Sequence, residues 1–163
     1  MDYHFREMAA ADGVAIIGIL NYYAENGFEA YFEKRLPDSA FSLLMQQRGN
    51  FPALSVLNEL GEVIGFGWLK AYKSISGFRY TAEVSYFLVP EVTGKGIGAQ
   101  ILDFLEREAG KMGITSIIAS VSSLNEGSIA FHKKHGFEER GRLLRVLCKK
   151  DRIFDEVILQ KQI

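Results

Sequence analysis

The segment Thr93-Gly94-Lys95-Gly96-Ile97-Gly98-Ala99 decides the fold, because it joins two stretches of different periodicity. Before it, residues 79–89 alternate between two sets of side chains until Pro90, which is typical of a β-strand. After it, apolar residues recur at helical spacing as far as Met112, and Gly113 ends the pattern. A strand, a glycine-rich turn and an amphipathic helix are therefore predicted in succession.

This glycine-rich turn is suited to binding an anion. The helix behind it offers free backbone N–H groups and the positive end of its dipole, and glycine lets a phosphate approach the backbone closely. The spacing Gly94-x-Gly96-x-Gly98 differs both from the Gly-x-x-x-x-Gly-Lys-Ser/Thr loop and from the dinucleotide fingerprint Gly-x-Gly-x-x-Gly. The turn predicts a pyrophosphate site, with a tight ligand-free strand-to-helix turn as the alternative.

The rest of the chain predicts a mixed sheet with helices on both faces, in the order β-α-α-β-β-β-α-β-α-β-β. Asp12 is expected to cap the first helix, and Asp38 or Ser39 the second. The other strands are expected near residues 2–8, 53–58, 63–72, 114–121, 137–148 and 153–160, and the other helices near 14–27, 39–49 and 128–135.

Length and composition indicate a single domain spanning residues 1–163. The net charge of −1 gives no general reason to bind nucleic acid or an anionic membrane, and no apolar window is long enough for a membrane span. Cys148 is the only cysteine, which rules out an intrachain disulfide and a thiol-based metal cluster. A cytoplasmic protein without a metal is expected.

Two segments resemble the GNAT superfamily of N-acetyltransferases. Thr93–Ala99 resembles its acetyl-CoA pyrophosphate loop, although Gln or Arg is usual where Thr93 stands. Residues 123–128, Ser-Leu-Asn-Glu-Gly-Ser, and residues 131–137, Phe-His-Lys-Lys-His-Gly-Phe, resemble its second conserved segment. The resemblance implies an α/β (α+β) fold with a mixed, mostly antiparallel central sheet of about seven strands and helices on both faces.

Within the superfamily, the sequence is most similar to the phosphinothricin and methionine sulfoximine N-acetyltransferases. The similarity lies in residues 21–23 (Asn-Tyr-Tyr), 80–85 (Tyr-Thr-Ala-Glu-Val-Ser), and Arg145, Val146, Lys149 and Asp155. The chain departs from that group at Leu147 and Asp151, where glycine is usual, and at Ile153, where tryptophan is usual. We therefore expect the acceptor preference to differ in detail.

The resemblance implies transfer of an acetyl group from acetyl-CoA to the primary amine of a small amino acid or an amino-acid analogue. The amine would attack the thioester directly in a ternary complex. A non-catalytic acyl-CoA-binding or sensing module is the alternative, and a homodimer stays open.

The resemblance also assigns the residues that would bind the cofactor. Backbone N–H groups near residues 87–89 would orient the thioester, and the turn would hold the pyrophosphate. The full set is Phe87, Leu88, Val89, Thr93, Gly94, Lys95, Gly96, Ile97, Gly98, Ala99, Asn125 and Ser128. Lys149, Lys150 and Arg152 are expected at the solvated surface, with a contact to the 3′-phosphate of coenzyme A as the alternative.

Two residues are candidates for proton transfer. Glu83 matches the position of the base in the related group, and a solvated Glu or a partner of Arg79 is the alternative. His132 stands where many superfamily members carry a tyrosine acid, and a packing role is the alternative. Phe28, Tyr31, Phe32 and Arg79, together with Glu83, are expected to form the acceptor pocket, with ordinary packing as the alternative for the aromatic residues.

Overall fold

The computed structural model describes residues 2–163, which form a seven-stranded sheet in the order β1-β2-β3-β4-β5-β7-β6. Only β4 and β5 are parallel, so the predicted mixed, mostly antiparallel α/β fold is confirmed. The strands are β1 (Tyr3–Glu7), β2 (Ala53–Asn58), β3 (Val63–Ala71), β4 (Thr81–Leu88), β5 (Ser116–Ser122), β6 (Glu138–Lys149) and β7 (Arg152–Gln162). The helices are α1 (Gly13–Asn26), α2 (Ala40–Arg48), α3 (Ile97–Lys111) and α4 (Glu126–Lys134).

Helices cover both faces of the sheet. On one face, Ile16 and Ile17 of α1 and Phe41 of α2 pack against Phe66 and Trp68 of β3. On the other face, the apolar side of α3 forms a second core with β-strand residues, and Ile129 and Phe131 of α4 pack against it. Among the described residues, none of the helices is both long and apolar enough to cross a membrane.

Gly67 lets α3 lie close to the middle of the sheet. A Cβ atom at this position would come within 2.5 Å of Ile101 Cγ2 and 3.2 Å of Leu105 Cδ1. Any larger residue would therefore push α3 away from β3. Because the glycine-rich turn leads directly into α3, this contact also fixes the height of the turn above the sheet.

Strands β4 and β5 pair over only three positions before they part. The paired residues are Thr81 with Ser116, Ala82 with Ile117, and Glu83 with Ile118. Beyond these positions the two strands no longer pair with each other, although they extend to Leu88 and Ser122. The parting opens a cleft in the sheet, and both α3 and α4 begin at its open end because each follows one of these parallel strands.

The expected capping role of Asp12 is wrong. Its carboxylate accepts hydrogen bonds from the Arg6 guanidinium at 2.6 and 2.8 Å, from Ala9 N–H at 2.8 Å and from Ser55 Oγ at 2.7 Å. These bonds tie β1, the turn before α1 and β2 together. The side chain of Ser39, which precedes α2, makes no capping bond either, whereas Gly49 ends that helix as expected, with φ +61°.

Asp12 gives a test of the fold. Burial alone would raise the pKa of its carboxyl, but the bonds from Arg6, Ala9 and Ser55 outweigh burial and lower that pKa to about 2. The carboxylate therefore stabilises the fold above the unfolded pKa near 4, and this stabilisation is lost as the pH falls towards 2. We expect the free energy of unfolding to fall by about 2 kcal/mol over that window from this group.

Asp12→Asn should lower the free energy of unfolding at pH 7 by about 2 kcal/mol, because it weakens the hydrogen bonds that the buried carboxylate accepts from Arg6, Ala9 and Ser55. It should also flatten the loss of stability between pH 4 and pH 2. Urea denaturation followed by circular dichroism measures both effects. Asp38→Asn on the exposed loop is the matched control, and equal losses in the two variants would contradict the account.

Candidate active site

A cavity of about 210 Å³ lies beside the parting of β4 and β5. It is on the sheet face covered by α1 and α2, since Leu20 of α1 and Leu44 of α2 both line it. Its functional side chains come from four regions of the chain: Tyr31 and Phe32 from the loop between α1 and α2, Lys70 from β3, Glu83 from β4 and Ser120 from β5. A cavity of this size suits a small molecule.

Glu83 stands at the last paired position of β4, beside Lys70. The two residues are in register across β3 and β4, and Lys70 Nζ lies 3.8 Å from Glu83 Oε1. Burial raises the pKa of Glu83, the Lys70 charge lowers it, and the Glu156 charge raises it further, so that the net shift is upwards. A carboxylate with a raised pKa is a better proton acceptor than an ordinary Glu. Lys70, and not Arg79, is its basic partner.

A hydrogen-bonded chain connects the cavity wall to a second carboxylate. Ser120 Oγ donates to Glu156 Oε1 at 2.5 Å, and Tyr31 Oη lies 3.0 Å from the same Ser120 oxygen. Because the single Ser120 hydroxyl proton is used by Glu156, Tyr31 must be the donor to Ser120. These two hydrogen bonds fix the tip of Tyr31. Neither Ser120 nor Glu156 was predicted from the sequence.

The backbone of β4 assigns different roles to the three residues expected to orient the thioester. The N–H of Val89 donates to the carbonyl of Ile64 on β3 at 2.9 Å, and the carbonyl of Val89 accepts from Val92. The expected donor role of Val89 is therefore wrong. Since strand N–H groups alternate in direction, Phe87 N–H also points towards β3, whereas Leu88 N–H points towards the cleft. Tyr23 Oη donates to the Leu88 carbonyl at 2.7 Å.

The glycine-rich turn presents a run of free amides. None of the six N–H groups from Gly94 to Ala99 donates a hydrogen bond within the described residues. Gly94 and Gly96 adopt φ values of +73° and +83°, which favour glycine. Gly98 lies in the first turn of α3, and a Cβ atom there would be 3.6 Å from Phe131. Thr93 Oγ1 donates to the Pro90 carbonyl at 2.8 Å, which fixes the start of the turn.

Asn125 and Ser128 lie at the start of α4, on the β5 side of the cleft. Asn125 Oδ1 accepts a hydrogen bond from Ser128 N–H at 3.1 Å, so Asn125 caps the helix. Its Nδ2 group makes no hydrogen bond to another described residue. The amide nitrogen is therefore the part of Asn125 that remains able to contact a ligand.

His132 lies away from the cavity. It is buried, Nδ1 is 2.7 Å from the Ser128 carbonyl, and Nε2 is 2.7 Å from Tyr86 Oη. A carbonyl only accepts, so Nδ1 carries the proton and Nε2 of the neutral ring accepts from Tyr86. Burial lowers the pKa of His132 and favours this neutral form. Tyr86 and Glu83 point to opposite faces of β4, so the sheet separates His132 from Glu83.

Two residues expected in the acceptor pocket do not line the cavity. Arg79 is exposed, and its guanidinium stacks over Tyr80 and donates to the Ser76 carbonyl. Phe28 packs edge-on against Phe154, with the Arg152 guanidinium 5.6 Å from its ring centre. Both residues lie outside the cavity of this structure, so their roles in the acceptor pocket stay predictions. Lys70 is a basic residue that does line the cavity, because the β3 register places it opposite Glu83.

The parted parallel strands, the free turn amides at their open end and the carboxylate at their base agree with the N-acetyltransferase fold that the sequence resembles. The pattern of the acetyltransferase (GNAT) family matches residues 9–137. The chain belongs to this family.

Curated relatives and solved structures support the same placement. The chain is 33% identical to the L-methionine sulfoximine/L-methionine sulfone acetyltransferase of Pseudomonas paraeruginosa over 69% of this chain and 66% of the relative. It is 33% identical to the L-amino acid N-acyltransferase MnaT of Escherichia coli over 69% of this chain and 65% of the relative. The alignments thus span just under two thirds of each relative's length.

The phosphinothricin acetyltransferase of Sinorhizobium meliloti, solved in complex with AcCoA, superposes with a TM-score of 0.94. The two sequences are 29% identical, and the superposition covers 100% of this chain and 89% of that one. The resemblance to the phosphinothricin and methionine sulfoximine group is therefore confirmed.

The turn amides give a test of the anion site. Gly98→Val should weaken acetyl-CoA binding about tenfold or more, because the side chain intrudes where the free amides converge while the space next to Phe131 tolerates its Cβ. Gly110→Val, in open space near the end of the same helix, is the matched control. Isothermal titration calorimetry measures affinity, and circular dichroism checks the fold. Equal affinities for the two folded variants would refute the site.

Proposed function

We propose that this chain is an acetyl-CoA-dependent N-acetyltransferase that acts on the primary amine of a small amino acid or a close analogue, within a single domain. The observation that carries the proposal is the position of Glu83. Its carboxylate faces a small cavity at the point where β4 and β5 part, and the free amides of residues 94–99 lie at the open end of the same parting.

The residues around the cleft fit acetyl-CoA as the acetyl donor. Six unpaired amides at residues 94–99 match the oxygens of a pyrophosphate, and the positive φ angles of Gly94 and Gly96 keep side chains away from it. Leu88 N–H, on the open edge of β4, would hold the thioester group, and Asn125 Nδ2 would contact the donor from the β5 side. The bound donor supplies an acetyl group activated as a thioester.

The cavity side chains fit a small amine that also carries an anionic group. Glu83 accepts the proton that the ammonium must lose, and burial raises its pKa, which makes the carboxylate a better proton acceptor. Tyr31 and Phe32 form an aromatic wall, and Lys70 supplies a positive charge for a carboxylate or a similar group. The names of the methionine sulfoximine and L-amino acid relatives support this acceptor class.

A proton-donating role for His132 stays a prediction. Both ring nitrogens are hydrogen bonded, and Nε2 of the neutral ring accepts from Tyr86, so His132 would have to gain a proton at Nε2 before it passed one to the Tyr86 hydroxyl. Leu147, Asp151 and Ile153 differ from the residues usual in the phosphinothricin and methionine sulfoximine group. Their effect on acceptor preference stays a prediction, since none of them lines the cavity.

Cytoplasmic localisation belongs to the same proposal. Cys148 is exposed and free, and an exposed thiol is best preserved in a reducing compartment. A homodimer stays open, and light scattering measures the oligomeric state directly.

A thiol-release assay separates the enzyme from a non-catalytic acyl-CoA-binding module. Acetyl-CoA is incubated with amino acids, methionine derivatives, polyamines and peptides, and products are identified by mass spectrometry. The proposal predicts release of free coenzyme A that depends on a small amino acid or analogue. Tight acetyl-CoA binding without acceptor-dependent release would favour the module, and release only with folded proteins would refute the acceptor class.

Glu83→Gln should lower the rate of transfer roughly 10²-fold while leaving acetyl-CoA affinity nearly unchanged, because it keeps the size and removes the base. In the wild-type enzyme the rate should fall as the pH drops through the raised pKa of Glu83, since the protonated carboxyl accepts no proton. Higher pH should partly rescue the variant, because more amine arrives already deprotonated.

The control is Glu59→Gln, on the exposed hairpin turn between β2 and β3, which should match the wild type throughout. Steady-state kinetics from pH 6 to 9 measure these effects. Wild-type rates for Glu83→Gln across that range would reject the base assignment.

A further inference from the structure

A lysine lies inside the protein where the sequence predicted solvated surface. Lys149 is 1% exposed and is one of the largest fully buried side chains of the chain. No carboxylate lies within 4 Å of its ammonium group in the described residues. Burying an ammonium group without a direct counter-ion is costly, so specific acceptors must hold it.

Two backbone carbonyls are those acceptors. Lys149 Nζ donates to the carbonyl of Ala30 at 2.7 Å and to the carbonyl of Tyr23 at 3.1 Å. Tyr23 lies in the last turn of α1, where carbonyls have no partner within the helix and the helix dipole favours a positive charge. Ala30 belongs to the loop of residues 27–39, which contains no helix or strand. One ammonium therefore joins the end of a helix to an irregular loop.

This loop carries one wall of the cavity. Glu29, Ala30, Tyr31 and Phe32 all line it, and Ala30 is itself 3% exposed. Tyr31 is bonded at its tip to Ser120, so its hydroxyl is anchored to β5. The backbone just before Tyr31 is anchored by Lys149. A side chain held at both ends has a defined position, and loss of the inner anchor frees the backbone that presents the aromatic wall.

The hairpin between β6 and β7 aims Lys149 inwards. Lys149 pairs with Arg152, and the two residues between them, Lys150 and Asp151, have φ values of +51° and +59°. Two consecutive positive φ angles are typical of the type I′ turn, which folds a hairpin tightly. The ammonium of Lys150 in this turn contacts the Glu25 carbonyl of α1 and does not contact the loop. Among the two adjacent lysines, only Lys149 reaches the cavity wall.

We propose that Lys149 is a positioning residue for the acceptor site, which holds the backbone of the Tyr31–Phe32 wall through its bonds to Ala30 and Tyr23. It acts through the loop and touches neither substrate. The kinetic consequence rests on the proposed function, whereas the structural consequence does not. Replacing Lys149 should loosen acceptor binding and leave the acetyl-CoA site unaffected, because the amides of residues 94–99 belong to a different part of the chain.

The test compares Lys149→Met with Lys150→Met. Lys149→Met keeps an unbranched side chain of similar length and removes both bonds. It should raise the KM for the acceptor about tenfold or more, change kcat less than about threefold, and leave acetyl-CoA affinity within about twofold of wild type. Lys150→Met should leave all three at wild-type values. An unchanged acceptor KM in folded Lys149→Met would overturn the proposal.

Trp68 gives a readout that needs no activity. It is the single tryptophan of the chain, it is 6% exposed, and it lines the same cavity as Tyr31 and Phe32. Lys149→Met should shift its emission to longer wavelength and increase quenching by acrylamide, and Lys150→Met should do neither. If neither the wild type nor the two variants transfer an acetyl group, the proposed function fails. The fluorescence comparison still decides the role of Lys149.

Lys149→Gln covers the case in which Lys149→Met does not fold. It keeps a polar end group but removes the charge and shortens the side chain, so the bonds to the two carbonyls are weakened or lost. A raised acceptor KM and more accessible Trp68, at unchanged acetyl-CoA affinity, would support the proposal. Wild-type values for both would overturn it.

Discussion

The parting of β4 from β5 is the constraint on which the rest of the structure depends. Pairing ends after Glu83 and Ile118, so the last paired residue of β4 is the carboxylate that faces the cavity. Past this point β4 keeps its bonds to β3 on one side and leaves Leu88 N–H open on the other. The same parting separates the ends from which α3 and α4 begin. A fully paired sheet would have neither an open strand edge nor room between the two helix N-termini.

Because successive side chains of a strand point to opposite faces, β4 places Glu83 and Tyr86 on different sides of the sheet. Glu83 points to the face of α1 and α2, where Lys70, Tyr31 and the Ser120–Glu156 pair surround the cavity. Tyr86 points to the face of α3 and α4, where it meets buried His132. The sheet therefore separates Glu83 from the hydrogen-bonded pair of Tyr86 and His132.

Local signals in the sequence predicted most of the fold. The alternating pattern of β4, the glycine-rich turn and the helical spacing of α3 lie within a short segment, and their physics is local. The site was only partly predictable. Lys149 bonds to a carbonyl 119 residues away and Asp12 to a serine 43 residues away, and no local pattern distinguishes these buried charges from surface ones. Lys70, and not Arg79, lines the cavity because strand register, which the sequence does not state, decides which side chain faces Glu83.

Backbone hydrogen exchange followed by NMR tests the central claim most directly, because neighbouring amides of β4 differ in what they contact. Val89 N–H is bonded to Ile64 and should be protected with or without ligand. Leu88 N–H and the amides of residues 94–99 should exchange quickly in the free protein and slow about tenfold or more when acetyl-CoA is added. Unchanged exchange at Leu88 and at residues 94–99 under saturating acetyl-CoA would contradict the account.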